Sequence, residues 1–335
     1  MTAMERSVAA EALDGLAADD PAAVRSRGDL RRLHRLMGTR SILRRSLGEL
    51  LPQSLSANGA RPLRVLELGA GDGSLLLGVA RALAPRRPAV ELTLLDRLAL
   101  VDRATVEAYA ALGWRASARV ADVFDWAAEA SAGAAAEATA PPLLPASSSG
   151  LKASAPSGKA QGTPPPRWDL IVANLFLHHF DDAPLAALLA AAAASGDRFL
   201  ACEPRRGWFP LTASRLVGAV GANAVTREDA VLSVRAGFRG GELSALWPQQ
   251  GGAWRLRERA AGLFSHCFSA ERIGAGGRAL AAGDAAALAG ARSAALPGSG
   301  PSAPASRAPA PTLRAAGRSV HAARGLVPCA PTSTP

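Results

Sequence analysis

The residues that most constrain the fold are Val65 to Gly73, VLELGAGDG. An apolar run ending in an acid, followed by E-x-G-x-G-x-G, reads as a buried strand that stops at a glycine turn on the carboxyl edge of a sheet. Without Cβ atoms, Gly69, Gly71 and Gly73 let a ligand approach the backbone. The helix expected from Ser74 to Leu83 would offer its free N–H groups and positive dipole end to a carboxylate or a phosphate.

Downstream, strand and helix patterns alternate, which predicts an α/β fold. Strands are expected at Leu63–Leu68, at Val90–Leu95 ending in Asp96, at Val120–Phe124, at Asp169–Ala173 and at Arg198–Cys202. Helices are expected at Thr105–Leu112 and Ala183–Ala194, with helical turns around Leu211–Val220 and Arg227–Val234. Alternation of Trp254 and Leu256 with Arg255 and Arg257, then Gly262 and the run Leu263–Ser269, predicts a closing hairpin. The expected architecture is a doubly wound, Rossmann-like sheet of parallel strands with a terminal antiparallel pair. Leucines from Leu30 to Leu51 recur at helical spacing and predict an N-terminal helical cap over residues 1–60, with Asp29 capping its start. The sheet domain then spans 61–273.

Composition enters where this pattern fails. Residues 129–166 and the stretch from 274 to 335 are dominated by Ala, Ser, Pro and Gly, too poor in large apolar side chains to offset the entropy of ordering, and are expected to be a disordered insert and tail. The insert holds both lysines, Lys152 and Lys159. Half of the formal net charge of +10 falls from residue 271 onward, which weakens a nucleic-acid assignment. No run reaches the roughly 18 apolar residues of a membrane span, and acids near the N-terminus argue against a signal peptide, so a cytoplasmic protein is expected. The oligomeric state is not legible. Cys202, Cys267 and Cys329 lack metal-ligand spacing, and the first two read as reduced core residues.

The glycine turn leaves a dinucleotide or S-adenosylmethionine as the natural ligand. Ser74 occupies the third position of the dinucleotide fingerprint, and Glu67, two residues before the first glycine, suits a cationic cofactor and would repel a pyrophosphate. Asp96 is placed to accept ribose hydroxyls in either case. After the third strand, Asp122 and Val123 would bracket an adenine.

With these residues in order, VLELGAGDG, LLD ending at Asp96, ADVFDW and DLIVANLFLHHF, the sequence resembles class I S-adenosylmethionine-dependent methyltransferases. The resemblance implies that Glu67, Gly69 and Gly71, with Ala70 between them, contact the methionine part of the cofactor. It places Asp96, followed by Arg97, at the ribose, Asp122 with Val123 at the adenine, and Asn174 beside the methyl group. DLRRLHRLMGTRSILRRSL, NLFLHHFDD and EPRRGW look more narrowly like bacterial small-molecule O-methyltransferases of polyketide-type products, and so imply secondary metabolism. In that subgroup the fifth strand usually ends in Asn-Asp, where Cys202, Glu203 and Pro204 stand here.

Methyl transfer from a sulfonium needs an aligned nucleophile and removal of its proton. His179, and after it His178, just past the fourth strand, are the candidate bases. His266, between Phe264 and Phe268, reads as a satisfied core histidine, and His34 and His321 have no evident partners. Glu203 and Arg205 would either orient a polar acceptor or be solvated. No metal site is expected. The expected activity is O-methylation of a small phenolic or polyketide-like acceptor, without nucleic acid or membrane. Alternatives are an RNA or protein methyltransferase, a non-catalytic binding protein on the same fold, and a nicotinamide-dependent oxidoreductase. The absence of a Pro-Pro-aromatic clamp after Asn174 disfavours amide or adenine-amine methylation.

Overall fold

The computed structural model describes residues 4–50, 61–83, 89–139, 167–250 and 252–274. The chain forms helices α1 (Pro21–Leu36) and α2 (Thr39–Leu50), then β1 (Leu63–Leu68), α3 (Ser74–Leu83), β2 (Val90–Asp96), α4 (Arg103–Ala110) and β3 (Trp114–Val120). There follow α5 (Val123–Thr139), β4 (Leu170–Asn174), α6 (Asp182–Ser195), β5 (Arg198–Pro204), α7 (Trp208–Arg215), α8 (Ala224–Ala236), α9 (Glu242–Leu246), β6 (Trp254–Ala261) and β7 (Ser265–Arg272).

The strands make one sheet ordered β3-β2-β1-β4-β5-β7-β6. The first five are parallel; β7 runs antiparallel to β5 and pairs with β6 as the expected hairpin. Strand order reverses between β1 and β4, so both strands end at the crevice where ligands of doubly wound sheets bind. Period-2 alternation sends Val65, Leu92, Leu94, Val172 and Leu200 to one face, beneath α2, α3 and α4. Leu66, Leu68, Ile171, Ala173 and Phe199 go to the other, beneath α5, α6 and α9. Leu43, Leu47 and Leu50 of α2 enter the first cluster, so this helix of the N-terminal region is part of a sheet face.

Three local expectations are corrected. The third strand is Trp114–Val120, not Val120–Phe124. As an edge strand it exposes most of its side chains and lacks the apolar run that marks the inner strands. ADVFDW instead starts α5, because the Asp122 side chain accepts the backbone N–H of Phe124 at 2.7 Å. Second, α5 continues to Thr139, so the first third of the alanine-rich insert is helical; alanine has the highest helix propensity, and Arg119 anchors Glu129. The remainder, 140–166, lies outside the described residues, as do 275–335 with His321 and Cys329. Third, Asp29 is not a cap. It sits inside α1, whose start is capped by Asp20 before Pro21. Asp29 is buried and accepts from Asn223 N at 2.7 Å, tying α1 to α8.

Candidate active site

The site is built at the carboxyl ends of β1, β2 and β4. Gly69, Gly71 and Gly73 all have positive φ, at 65°, 58° and 71°. Only glycine takes this backbone without cost, so the turn after β1 depends on its composition. At Gly69 a Cβ would also lie 2.2 Å from the Phe176 ring, so this glycine admits an aromatic side chain from the turn after β4. Tyr109 of α4, fully buried, donates to the Gly73 carbonyl at 2.9 Å and pins the end of the turn. The Asp96 carboxylate accepts the Gly71 N–H at 2.8 Å and the Leu98 N–H at 2.9 Å. Each oxygen keeps a further lone pair for a ligand hydroxyl.

Glu67 is 4 % exposed, its Oε2 has no hydrogen-bond partner, and it makes no ion pair among the described residues. Burial, with Asp72 and Asp96 nearby, pushes its carboxyl well above the usual range. An unpaired buried carboxylate is costly and is retained where a cationic ligand completes it. A sulfonium or an α-amino group does so; a pyrophosphate does not. The Asn174 Oδ1 is likewise buried without a partner at the end of β4. The residues present therefore fit S-adenosylmethionine. Ala70 lies in the turn itself, its N–H bonded to Leu95 O at 3.0 Å. Val123 is buried at the start of α5 beside Asp122.

Leu175, immediately after Asn174, is the sole non-glycine residue with positive φ among those described, at 53°. This strained residue breaks β4 and leads into the turn holding Phe176, His178 and His179. Glu203, fully buried at the end of β5, holds that turn. It accepts the N–H groups of Phe176 at 3.1 Å and Leu177 at 3.0 Å, and bonds His178 Nδ1 at 2.8 Å. Glu203 is thus an internal anchor and not a solvated charge. Arg205 pairs through its backbone with Phe238 and Phe264.

A segment without sequence signal completes the site. Residues 4–20 cross the sheet edge, held where Asp229 accepts from Ala12 N at 2.7 Å and Leu13 N at 3.0 Å. Glu11 on this segment faces both histidines, with Oε1 3.4 Å from His178 Nε2 and Oε2 3.5 Å from His179 Nε2. Arg97, expected at the cofactor, instead binds Asp14 of the segment at 3.0 Å. Burial disfavours the His178 imidazolium, but Glu11 and Glu203 outweigh it and raise its pKa to about 9. The same contacts hold Glu11 well below the usual range against its own burial. His178 is 4 % exposed and His179 23 %, so His179 is the more accessible of the two. Its Nδ1 lies 3.0 Å from the Phe176 carbonyl, and its Nε2 is turned toward Glu11 and Asp14. His266 is the expected core histidine, bonded to Glu258 at 2.8 Å. Cys202 and Cys267 are buried and free, directly opposed across β5 and β7.

The N-terminal helices also touch the glycine turn. Arg31 of α1 pairs with Asp72 at 2.8 Å, and the Arg40 guanidinium lies over Gly78, where a Cβ would be 2.5 Å from its Nε. Among the described residues no helix is long and apolar enough to cross a membrane.

A family model described as a methyltransferase domain matches residues 39–273. Comparison with curated protein sequences finds no match. Similar solved structures include magnesium protoporphyrin IX methyltransferase from Synechocystis PCC 6803, with 14% identity over 78% of this chain and 91% of that one, TM-score 0.40. The mitomycin 7-O-methyltransferase MmcR is 19% identical over 78% of this chain and 60% of its own, TM-score 0.43. The N,N-8-amino-8-demethyl-D-riboflavin dimethyltransferase of Streptomyces davawensis is 17% identical over 79% and 62%, TM-score 0.43. The chain thus spans about three fifths of the last two. Since the family match runs from α2 through the terminal hairpin, the chain belongs to the methyltransferase-domain family and is a class I S-adenosylmethionine-dependent methyltransferase.

Proposed function

We propose that the protein transfers the methyl group of S-adenosylmethionine to an oxygen of a small phenolic or polyketide-like acceptor. The observation that carries this reading is His179. Its ring stands at the carboxyl edge of β4, five residues beyond Asn174, with Nε2 beside the Glu11 and Asp14 carboxylates at 3.5 and 3.6 Å, so a hydroxyl reaching it would pass its proton to this histidine–carboxylate group. Aromatic rings flank it: Phe176 and Phe180 meet edge-on at 5.1 Å, and Phe180 meets Phe124 at 5.3 Å. Such a surface suits a planar acceptor.

In this reading Glu67 binds the cationic methionine end of the cofactor, Gly69, Ala70 and Gly71 admit it, and Asp96 holds the ribose. Asp122 and Val123 receive the adenine, and Asn174 lies beside the methyl group. The cofactor supplies an activated methyl on a good leaving group. The chain's task is alignment of the acceptor and removal of its proton.

Calorimetric titration with S-adenosylmethionine, S-adenosylhomocysteine and NAD in parallel, followed by screening of phenolic acceptors with labelled methyl donor, tests this. Binding of the first two without NAD, and labelled ether products lost in His179→Ala at retained cofactor affinity, are expected. Turnover that survives His179→Ala, or methyl transfer confined to nitrogen or carbon acceptors, would refute it.

A further inference from the structure

Among the described residues, Glu11, His178 and His179 form a cluster of metal-ligating side chains whose ligand atoms all lie within 4.8 Å of one another. The separations have a particular length. His178 Nε2 is 3.4 Å from Glu11 Oε1, His179 Nε2 is 3.5 Å from Glu11 Oε2, and His179 Nε2 is 3.6 Å from Asp14 Oδ2. Direct N–H···O bonds cluster near 2.9 Å and end at about 3.2 Å. Two ligands each about 2.1 Å from a tetrahedral ion are separated by about 3.4 Å.

The other nitrogens are arranged accordingly. His178 Nδ1 is bonded to Glu203 at 2.8 Å and His179 Nδ1 to the Phe176 carbonyl at 3.0 Å. Carboxylate and carbonyl partners of this kind orient metal-binding imidazoles and turn the opposite nitrogen toward the ion. Here both turn Nε2 toward Glu11, with ring centroids 4.2 Å apart.

We infer that Glu11, His178 and His179 form a binding site for one divalent transition-metal ion. Two imidazoles and a carboxylate favour zinc, cobalt or iron over magnesium or calcium. Asp14, paired with Arg97, stands at the rim and leaves a position for water or an acceptor oxygen. Because Glu11 is carried by residues 4–20, the ion would also fasten that segment to the sheet edge. The inference rests on the proposed function only in placing the acceptor beside His179. In the ion-loaded protein the ion would take the place of His179 in this step, holding the acceptor oxygen as its anion while the hydroxyl proton passes to solvent.

The full chain, stripped with chelator, is titrated with Zn2+ by calorimetry and with Co2+ by visible absorption. One equivalent bound in the micromolar range or tighter is expected, weakened about 10-fold or more by Glu11→Gln and by His179→Gln, with circular dichroism unchanged. Glu11 is carried by the N-terminal segment outside the sheet and Glu11→Gln keeps its shape, so this variant remains informative if substitutions at buried His178 do not fold. Absence of saturable binding, affinity unmoved by both substitutions, or a thiolate charge-transfer band placing Co2+ on Cys202 and Cys267 would each overturn the inference. S-adenosylhomocysteine affinity is measured on the same samples. Its loss in the wild type would count against the cofactor assignment and leaves the ion result to stand by itself.

Discussion

The Asp96 carboxylate is bonded to the Gly71 backbone N–H at 2.8 Å, so the tip of β2 holds the shape of the turn that follows β1. In the proposed function the same side chain would serve the turn and the ligand at once. Asp96→Ala is therefore expected to weaken S-adenosylhomocysteine binding at least about 10-fold and to cost about 1–2 kcal/mol of stability. Asp96→Asn, which keeps one acceptor, should fall between. Calorimetric titration and urea unfolding of the three proteins check this; Asp96→Ala with wild-type affinity would exclude a ribose contact.

Glu67 and stability should trade against each other. A buried carboxyl whose folded pKa is raised binds more protons folded than unfolded, so its contribution falls as pH rises through and above the unfolded value near 4.3. Glu67→Gln removes that cost and is expected to raise the unfolding free energy of the ligand-free protein at neutral pH by about 1–2 kcal/mol, and its melting temperature with it, while cofactor affinity drops. Thermal melts from pH 5 to 8 with and without S-adenosylhomocysteine would reveal a variant that is instead neutral or destabilised.

His34 of α1 carries the opposite sign. Burial, with Arg40 beside it, lowers its pKa to about 4 against the weaker pull of Asp72. The unfolded chain then binds the extra proton between about pH 6.5 and 4, so this part of the stability is full above 6.5 and is lost as pH falls toward 4. His34→Leu should flatten the acid limb of a stability profile measured over that window. A profile identical to the wild type would show that His34 is solvated.

Gly69→Ala combines a positive φ with the approach of Phe176 and is expected to cost about 2–4 kcal/mol. Adding Phe176→Leu should recover part of that loss if the ring is the obstacle. Equal losses in the single and double variants, by urea unfolding, would assign the whole effect to the backbone.

Glu203→Ala should destabilise by about 3 kcal/mol or more, because the N–H groups of Phe176 and Leu177 and the His178 ring lose a buried acceptor together. A loss below about 1 kcal/mol by the same method would mean that solvent replaces the carboxylate.

Much of the cofactor half of the site is local in origin. VLELGAGDG joins a buried strand to a glycine turn within nine residues, and Asp96 ends an equally apolar run, so period and residue type suffice to place both. The inner strands β1, β2, β4 and β5 are legible because both faces are covered and apolar residues predominate along them. Edge strand β3 carries no such run, and its place emerges only by pairing with β2.

The histidine cluster was decided by tertiary structure. Glu11 meets histidines more than 160 positions away, and Glu203 reaches back to the turn after β4 from the neighbouring strand. Glu11 stands in no periodic pattern or spaced motif, and Glu203, though it follows the apolar run of β5, carries nothing local that names the histidine turn as its partner. Sequence determined the inner strands, the glycine turn and the acids at the ends of β1 and β2, since those follow from short-range sterics and hydrophobic period. Which charges became buried partners of the histidines was settled only when the sheet brought β4, β5 and residues 4–20 to one edge, because desolvation and pairing depend on neighbours that chain order does not supply.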